Sequence, residues 1–345
     1  MSTIEVGAGA PASCLSCATA LTSANDSQAH VIPNALGGSL KSKGVICQIC
    51  NTELDEVADN ALVKSFGDWP TLLDIPRDRG KNPPKLIETR KGKRVRLERD
   101  GKMTRADVEY NVTPINDGHK VQITAGDIRT FRQLLKRAEK QFGQFNTKEA
   151  EQHARKVADK DDELKVSLDF SPRAVFGGIV TAIWIFIALR TGHALMDRQR
   201  LLEVIQRVQK NGGKFRYLID GLPGLDGPEV SLGHKIVVRS VPLTGNLIAY
   251  VEILGMLKVG GIFAATDGPA ELIEHIYAYD VLGRRERSSE FAINAFEFES
   301  QNWETVGLGP SDAIKLQEHF IEAMEKVFVN HYHRRFAPSD TKCLD

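Results

Sequence analysis

The chain has 345 residues, 42% of them hydrophobic and 26% charged, and its 45 basic and 45 acidic side chains cancel to a formal net charge of zero. That length suffices for two domains with real cores, and the hydrophobic fraction is that of a soluble globular protein. Zero net charge excludes a uniformly basic nucleic-acid binder, so any such surface must come from uneven placement of charge. The start of the chain, Gly/Ala-rich and carrying Glu5, lacks the basic segment and apolar core of a secretory signal. A cytosolic protein is expected, with reduced cysteines available to a metal.

The first pattern in chain order is a pair of hooks, Cys14-x-x-Cys17 and Cys47-x-x-Cys50. Two such hooks about 30 residues apart supply four thiolates for one tetrahedral zinc ion, and a closed four-sulfur site is structural. The alternative is a redox pair, which usually opens a helix inside a βαβ unit; no such unit surrounds Cys14, and a second hook would be surplus. Between the hooks runs Ala29-His30-Val31-Ile32-Pro33-Asn34-Ala35-Leu36-Gly37-Gly38, and Asn51 follows Cys50 directly.

This ordered set, C-x-x-C, then H-x-x-P-x-x-L-G-G, then C-x-x-C-N with an Asp further on, resembles the HNH endonuclease family over about residues 14 to 65, roughly a sixth of the chain. The resemblance implies a zinc-supported ββα-metal finger. It makes His30, ending the first strand, the general base that takes a proton from water. Gly37 and Gly38 allow the tight return of the loop, Val45-Ile46 fits the second strand, and Cys50 and Asn51 start the helix. Asn51 matches the last motif position and would face a catalytic Mg²⁺ or Mn²⁺, with Asp55 and Asp59 following at i+4 and i+8 on about the same helix face. Many members carry an acidic metal ligand directly before the histidine, where this chain has Ala29; Asp26, Asp55 and Asp59 are the carboxylates at hand. The middle Asn of the motif is replaced by Ser42, and Asn34 is the candidate for its loop-bracing role.

After the finger, Trp69 to Gly80 reads as a strand and turn. A stripe of Lys and Arg follows, from Arg77 and Arg79 through Lys91, Lys93, Arg94 and Arg96. It can neutralise phosphates, with a solvated hairpin face as the alternative. Lys85 to Arg90, Gly92, and then Val95 and Leu97 read as a β-hairpin. Asp127 caps a predicted helix through Phe131, Leu134, Leu135, Ala138 and Phe142. Charged residues of alternating sign from Glu149 to Lys165 suit a linker. These breaks divide the chain into a finger (residues 1–70), a basic hairpin and helical connector (71–160) and a C-terminal α+β domain (161–335).

From Ala174 to Leu189 the chain is apolar for about sixteen residues, with Thr181 inside the run, short of the roughly 20 that span a bilayer, so a buried central helix is expected and no membrane partner. A helix over about Met196 to Lys210, a strand from Phe215 to Ile219, and an antiparallel meander at Lys235–Val241, Leu247–Leu254 and Val259–Ala265 follow. A last helix is predicted from Ser311 to Val329. His234 reads as structural, His331 and His333 as a polar tail, and Cys343 as a free thiol.

The whole reads as an α+β protein: a zinc-supported HNH finger plus a larger C-terminal α+β domain with an antiparallel sheet. The expected activity is metal-dependent hydrolysis of double-stranded DNA by a homodimer, of the kind found in bacterial restriction or anti-phage effectors. Two readings compete with it: a catalytically impaired zinc-finger DNA-binding or adaptor protein, and a latent nuclease switched on when the C-terminal domain binds a small ligand or modified base.

Overall fold

An apolar run with no polar face is a stable helix only if something covers it on every side. In the computed structural model that helix is Pro172–Thr191, buried without interruption from Val175 to Leu189. Among the described residues it is the one helix long and apolar enough to cross a membrane, yet 83% of its most apolar window lies inside the fold. The structure describes residues 3–5, 13–78, 82–98, 103–116, 118–143, 146–155, 165, 167–191, 198–211, 214–230, 232–241, 243–264, 272–309 and 312–336. Two compact units result: Met1–Gly67 with Ile75–Gly80 and Leu168–Asp345, and Asp68–Asp74 with Lys81–Ser167. The cysteine-rich segment and the C-terminal half thus share one unit, whereas the sequence boundaries near 70 and 160 separate them.

In the larger unit the apolar helix is flanked by Arg198–Asn211, by a helix of the cysteine-rich segment and by a sheet. The sheet is six-stranded and antiparallel, in the order Arg285–Glu286, Glu274–Asp280, Gly233–Val241, Asn246–Ile253, Leu257–Ala264, Phe215–Tyr217. The three meander strands form as the β-branched runs predict; Glu274–Asp280 was not foreseen, because its alternation is broken by Glu274 and His275. One sheet face meets the apolar helix, with Phe176 5.1 Å from Tyr217 and Phe186 6.4 Å from Tyr277, ring to ring. Val237, Ile248, Tyr250 and Ile262 build a second core with Phe298 and Trp303. The molecule is α+β, with an N-terminal cysteine cluster and a larger C-terminal sheet.

Small side chains let the apolar helix approach the helix of the cysteine-rich segment. A Cβ at Gly178 would sit 2.7 Å from both Cβ and Cδ2 of Leu62, and one at Gly177 would sit 3.4 Å from Ala58 Cβ. The predicted start of the next helix, Met196, and Gly212-Gly213 lie outside the described residues, as do the side chains of His331 and His333 and all of Cys343. The final helix is Ala313–Phe336.

The smaller unit holds a three-stranded sheet, Lys85–Glu88, Arg94–Leu97 and Met103–Arg105, a hairpin of Glu109–Ile115 with Gly118–Thr124, and the helix Ile128–Phe142. Asp127 caps that helix by accepting the Thr130 N–H, as its sequence suggests. Trp69–Leu72 is a short helix and not the expected strand: Pro70 stands in its first turn, where proline's fixed φ and missing N–H are favourable.

His234 joins sheet and finger. It is fully buried; its Nε2–H donates to Leu36 O (3.0 Å), and its Nδ1 accepts the Leu254 N–H (3.4 Å). Burial pushes its pKa down to about 4, against a smaller upward pull from Leu36. Below about pH 6.5 the unfolded chain takes up a proton that the folded chain refuses. Folding stability is therefore expected to fall as pH drops from about 6.5 to about 4, by roughly 3 kcal/mol, and to lose that slope in His234→Gln; urea titrations across this range check it. Gly178→Val should lower stability by about 1–3 kcal/mol through overpacking against Leu62, read as a lower denaturant midpoint.

Candidate functional site

The four hook cysteines converge. Their Sγ atoms lie within 4.8 Å of one another, with Cys17 and Cys47 sulfurs 3.8 Å apart. A Zn–S bond of about 2.3 Å gives a tetrahedral edge of about 3.8 Å, whereas a disulfide needs about 2.05 Å, so the arrangement suits an ion and not a bridge. The Cys47 N–H donates to Cys14 Sγ (3.3 Å), tying the hooks together as metal-bound thiolates require. Burial pushes the thiols of Cys14 and Cys50 up, Cys50 to about 12, while hydrogen bonds from Thr19 bring Cys17 down to about 6. A cation among them would offset the burial that keeps Cys14 and Cys50 protonated.

Between the hooks the backbone doubles back as a hairpin. Ser27 N–H donates to Ile46 O, Ser42 N–H to Ala29 O and Val31 N–H to Leu40 O, and His30 pairs with Lys41 as an antiparallel bridge. The strand of the second arm is Lys41–Lys43, before the expected Val45-Ile46; past Gly44, at φ 73°, the arm still pairs through Ile46 O and the Asp26–Cys47 bridge. Asp26, a candidate ligand, instead accepts the Gly44 N–H on both carboxylate oxygens (3.1 and 3.0 Å) and braces that turn. Ala29 is buried, 2% exposed, and Ser42 bonds its carbonyl through Oγ as well as N–H. The loop at the hairpin's end needs both glycines. Gly37 has φ 86°, and a Cβ on Gly38 would lie 1.8 Å from Ile32 O.

Helix Gln48–Leu54 leaves Cys47 and continues through a π-helical turn, Asp55–Asp59, into Asn60–Ser65. Four α-helical residues overrun a turn by about 40°, and the wider π turn takes up part of that drift along the column Asn51, Asp55, Asp59. Gln209 Nε2–H donates to Val57 O (3.3 Å), satisfying a carbonyl of the bulge. Asp55 is exposed and accepts from Asn60 Nδ2 (3.3 Å); Asp59 is partly buried, its carboxyl raised to about 8 by burial and then by the charge of Asp55. Asn51 has its backbone N–H on Cys47 O.

His30 and Asn34 meet on a residue that sequence reasoning missed. Asp78 Oδ2 is 2.9 Å from His30 Nε2 and 2.6 Å from Lys41 Nζ, and Asn34 Oδ1 accepts the Asp78 N–H (3.0 Å). Burial works against the Asp78 carboxylate, but hydrogen bonds from Lys41 and His30 outweigh it and hold the carboxyl below its ordinary range. In the sequence Asp78 is an acid inside a basic stripe, 48 positions from its partner; its place between two arginines was the one available signal.

The proposed phosphate contacts fall in both units. Arg77 lies beside Asp78 in the larger unit, with its Nε buried and without a hydrogen-bond partner among the described residues. Arg79 lies outside the described residues. Lys91, Lys93, Arg94 and Arg96 belong to the smaller unit, around the Gly92 turn. Arg94 pairs with Asp107 (2.8 Å) and Arg96 with Glu98 (2.8 Å), both guanidinium groups largely exposed.

Residues 14–67 match the HNH_5 family model, described as HNH endonuclease. No curated protein and no solved structure shows a match to the chain. With the four cysteines clustered and the histidine on the hairpin they frame, residues 14–67 are similar to the HNH endonuclease family.

Proposed function

We propose that the protein is a metal-dependent endonuclease that hydrolyses phosphodiester bonds of double-stranded DNA, with a structural zinc on Cys14, Cys17, Cys47 and Cys50. The observation that carries this reading is the partly exposed imidazole of His30, 22% exposed, on a hairpin whose two ends are gathered at one four-cysteine knuckle. His30 takes the proton from the attacking water. Asn51 with Asp55 or Asp59 offers hard oxygen donors, and a Mg²⁺ or Mn²⁺ ion held there would supply Lewis acidity to the scissile phosphate and the leaving 3′ oxygen. Asn34 braces the loop after His30 through the Asp78 backbone.

Arg77 and Arg79, with Lys91, Lys93, Arg94 and Arg96, are the proposed phosphate contacts; they would set affinity and not sequence preference. One finger nicks one strand, so a homodimer is the proposed unit for double-strand cutting. A bacterial defence role, and control by a small ligand or modified base at the C-terminal half, complete the proposal. The buried methyl of Ala29, where related fingers place a carboxylate, favours the second reading, a DNA-binding finger without catalysis.

Plasmid cleavage with Mg²⁺ or Mn²⁺ separates the two. His30→Ala should lower the rate by about 10²–10⁴-fold, the loss expected when a general base is removed; wild type and variant that leave plasmid equally intact would point to the binding finger. Purified protein should contain stoichiometric zinc, and Cys50→Ser or a strong chelator should release it with a fall in melting temperature, measured by metal analysis and calorimetry.

A further inference from the structure

Asp78 lies beyond the matched residues 14–67, yet it meets the histidine at the centre of them. His30 and Lys41 are bridge partners across the hairpin, so their side chains share a face. One carboxylate oxygen of Asp78 serves both, and the three side chains are 22%, 17% and 10% exposed for His30, Lys41 and Asp78. The backbone of Asp78 is held separately, by Asn34. A carboxylate flanked by an ammonium stays ionised and can only accept. The ring nitrogen facing it must then carry the proton whenever the imidazole is neutral, which leaves the lone pair on Nδ1.

We propose that Asp78 is the positioning residue of the hydrolytic site: it fixes His30 as the Nε2–H tautomer and sets the ring plane, so that Nδ1 is the nitrogen that takes the proton from water. The assignment rests on the nuclease reading above. Lys41 supports it by anchoring the same carboxylate oxygen. A merely structural salt bridge between Lys41 and Asp78 would tie segment Ile75–Gly80 to the hairpin without needing the imidazole. In that case His30 would be indifferent to the loss of the carboxylate.

The test uses the full-length protein with histidine ¹⁵N labelling and His30 assigned by comparison with His30→Gln. In the wild type the ring nitrogens of His30 should report the Nε2–H tautomer. Asp78→Asn keeps the side-chain size and the backbone bond to Asn34 but removes the charge. It should lower kcat at least tenfold with KM for DNA little changed, shift the acid limb of the pH–rate profile to lower pH, and mix the His30 tautomers. Zinc content and melting temperature serve as folding controls. If Asp78→Asn does not fold, Lys41→Met, which leaves the carboxylate in place, should keep the tautomer, and Asp78→Glu should recover part of kcat. A wild-type Nδ1–H tautomer, or an Asp78→Asn variant that loses kcat with the pH limb and tautomer unmoved, overturns the assignment. Wild type inactive on DNA under all metals, with His30 still in the Nε2–H form, overturns the nuclease reading and leaves the tautomer assignment standing, so the two failures are distinguishable.

Discussion

Convergence of four sulfurs is the constraint on which the rest depends. Within 4.8 Å it gathers Cys14 and Cys17, from before the hairpin, with Cys47 and Cys50, from the start of the helix. Both ends of the segment that carries His30 are thereby fixed at one point, and the helix that carries Asn51 leaves from the same point. A segment of this size buries too little apolar surface to hold such a geometry alone, which is why small domains recruit metals. Buried Val31, Ile32, Leu36, Leu40, Val45 and Ile46 are part of its apolar core.

The finger is not free-standing, however. The C-terminal half reaches it through several contacts, among them Gly177 and Gly178 of the apolar helix against Ala58 and Leu62, Gln209 on the carbonyl of Val57, and His234 on the carbonyl of Leu36. These contacts fall on the π turn Asp55–Asp59 and the helix after it, or on the loop that follows His30. Gly37, at the end of that loop, approaches Val281, just past the strand Glu274–Asp280, so closely that a Cβ would lie 2.8 Å from it. The C-terminal half thus packs against the loop, while the cysteine cluster gathers the hairpin ends.

How much of this was legible in the sequence follows from how local each signal is. Cys14-x-x-Cys17 and Cys47-x-x-Cys50, the Gly37-Gly38 return, the Asp127 cap and the Ala174–Leu189 run are patterns complete within a few residues, and each became the expected element. Asp78 was hidden because its meaning lies in a contact 48 positions away, and the basic residues around it masked the acid. His234 read as structural, which it is, but nothing near it announces Leu36, 198 positions distant. The π turn has no sequence signature apart from the tertiary contacts that stabilise it. Trp69–Leu72 carries strand-favouring Trp and Thr, yet Pro70 at a helix start decides for the helix.

Anomalous diffraction from crystals of the full chain soaked with Mn²⁺ and a short DNA duplex addresses the central claim most directly. The account predicts zinc among the four cysteine sulfurs and a separate manganese bound to Asn51 with Asp55 or Asp59, facing His30 across the scissile phosphate. Zinc in the knuckle with manganese absent, or bound away from both Asn51 and His30, would contradict it.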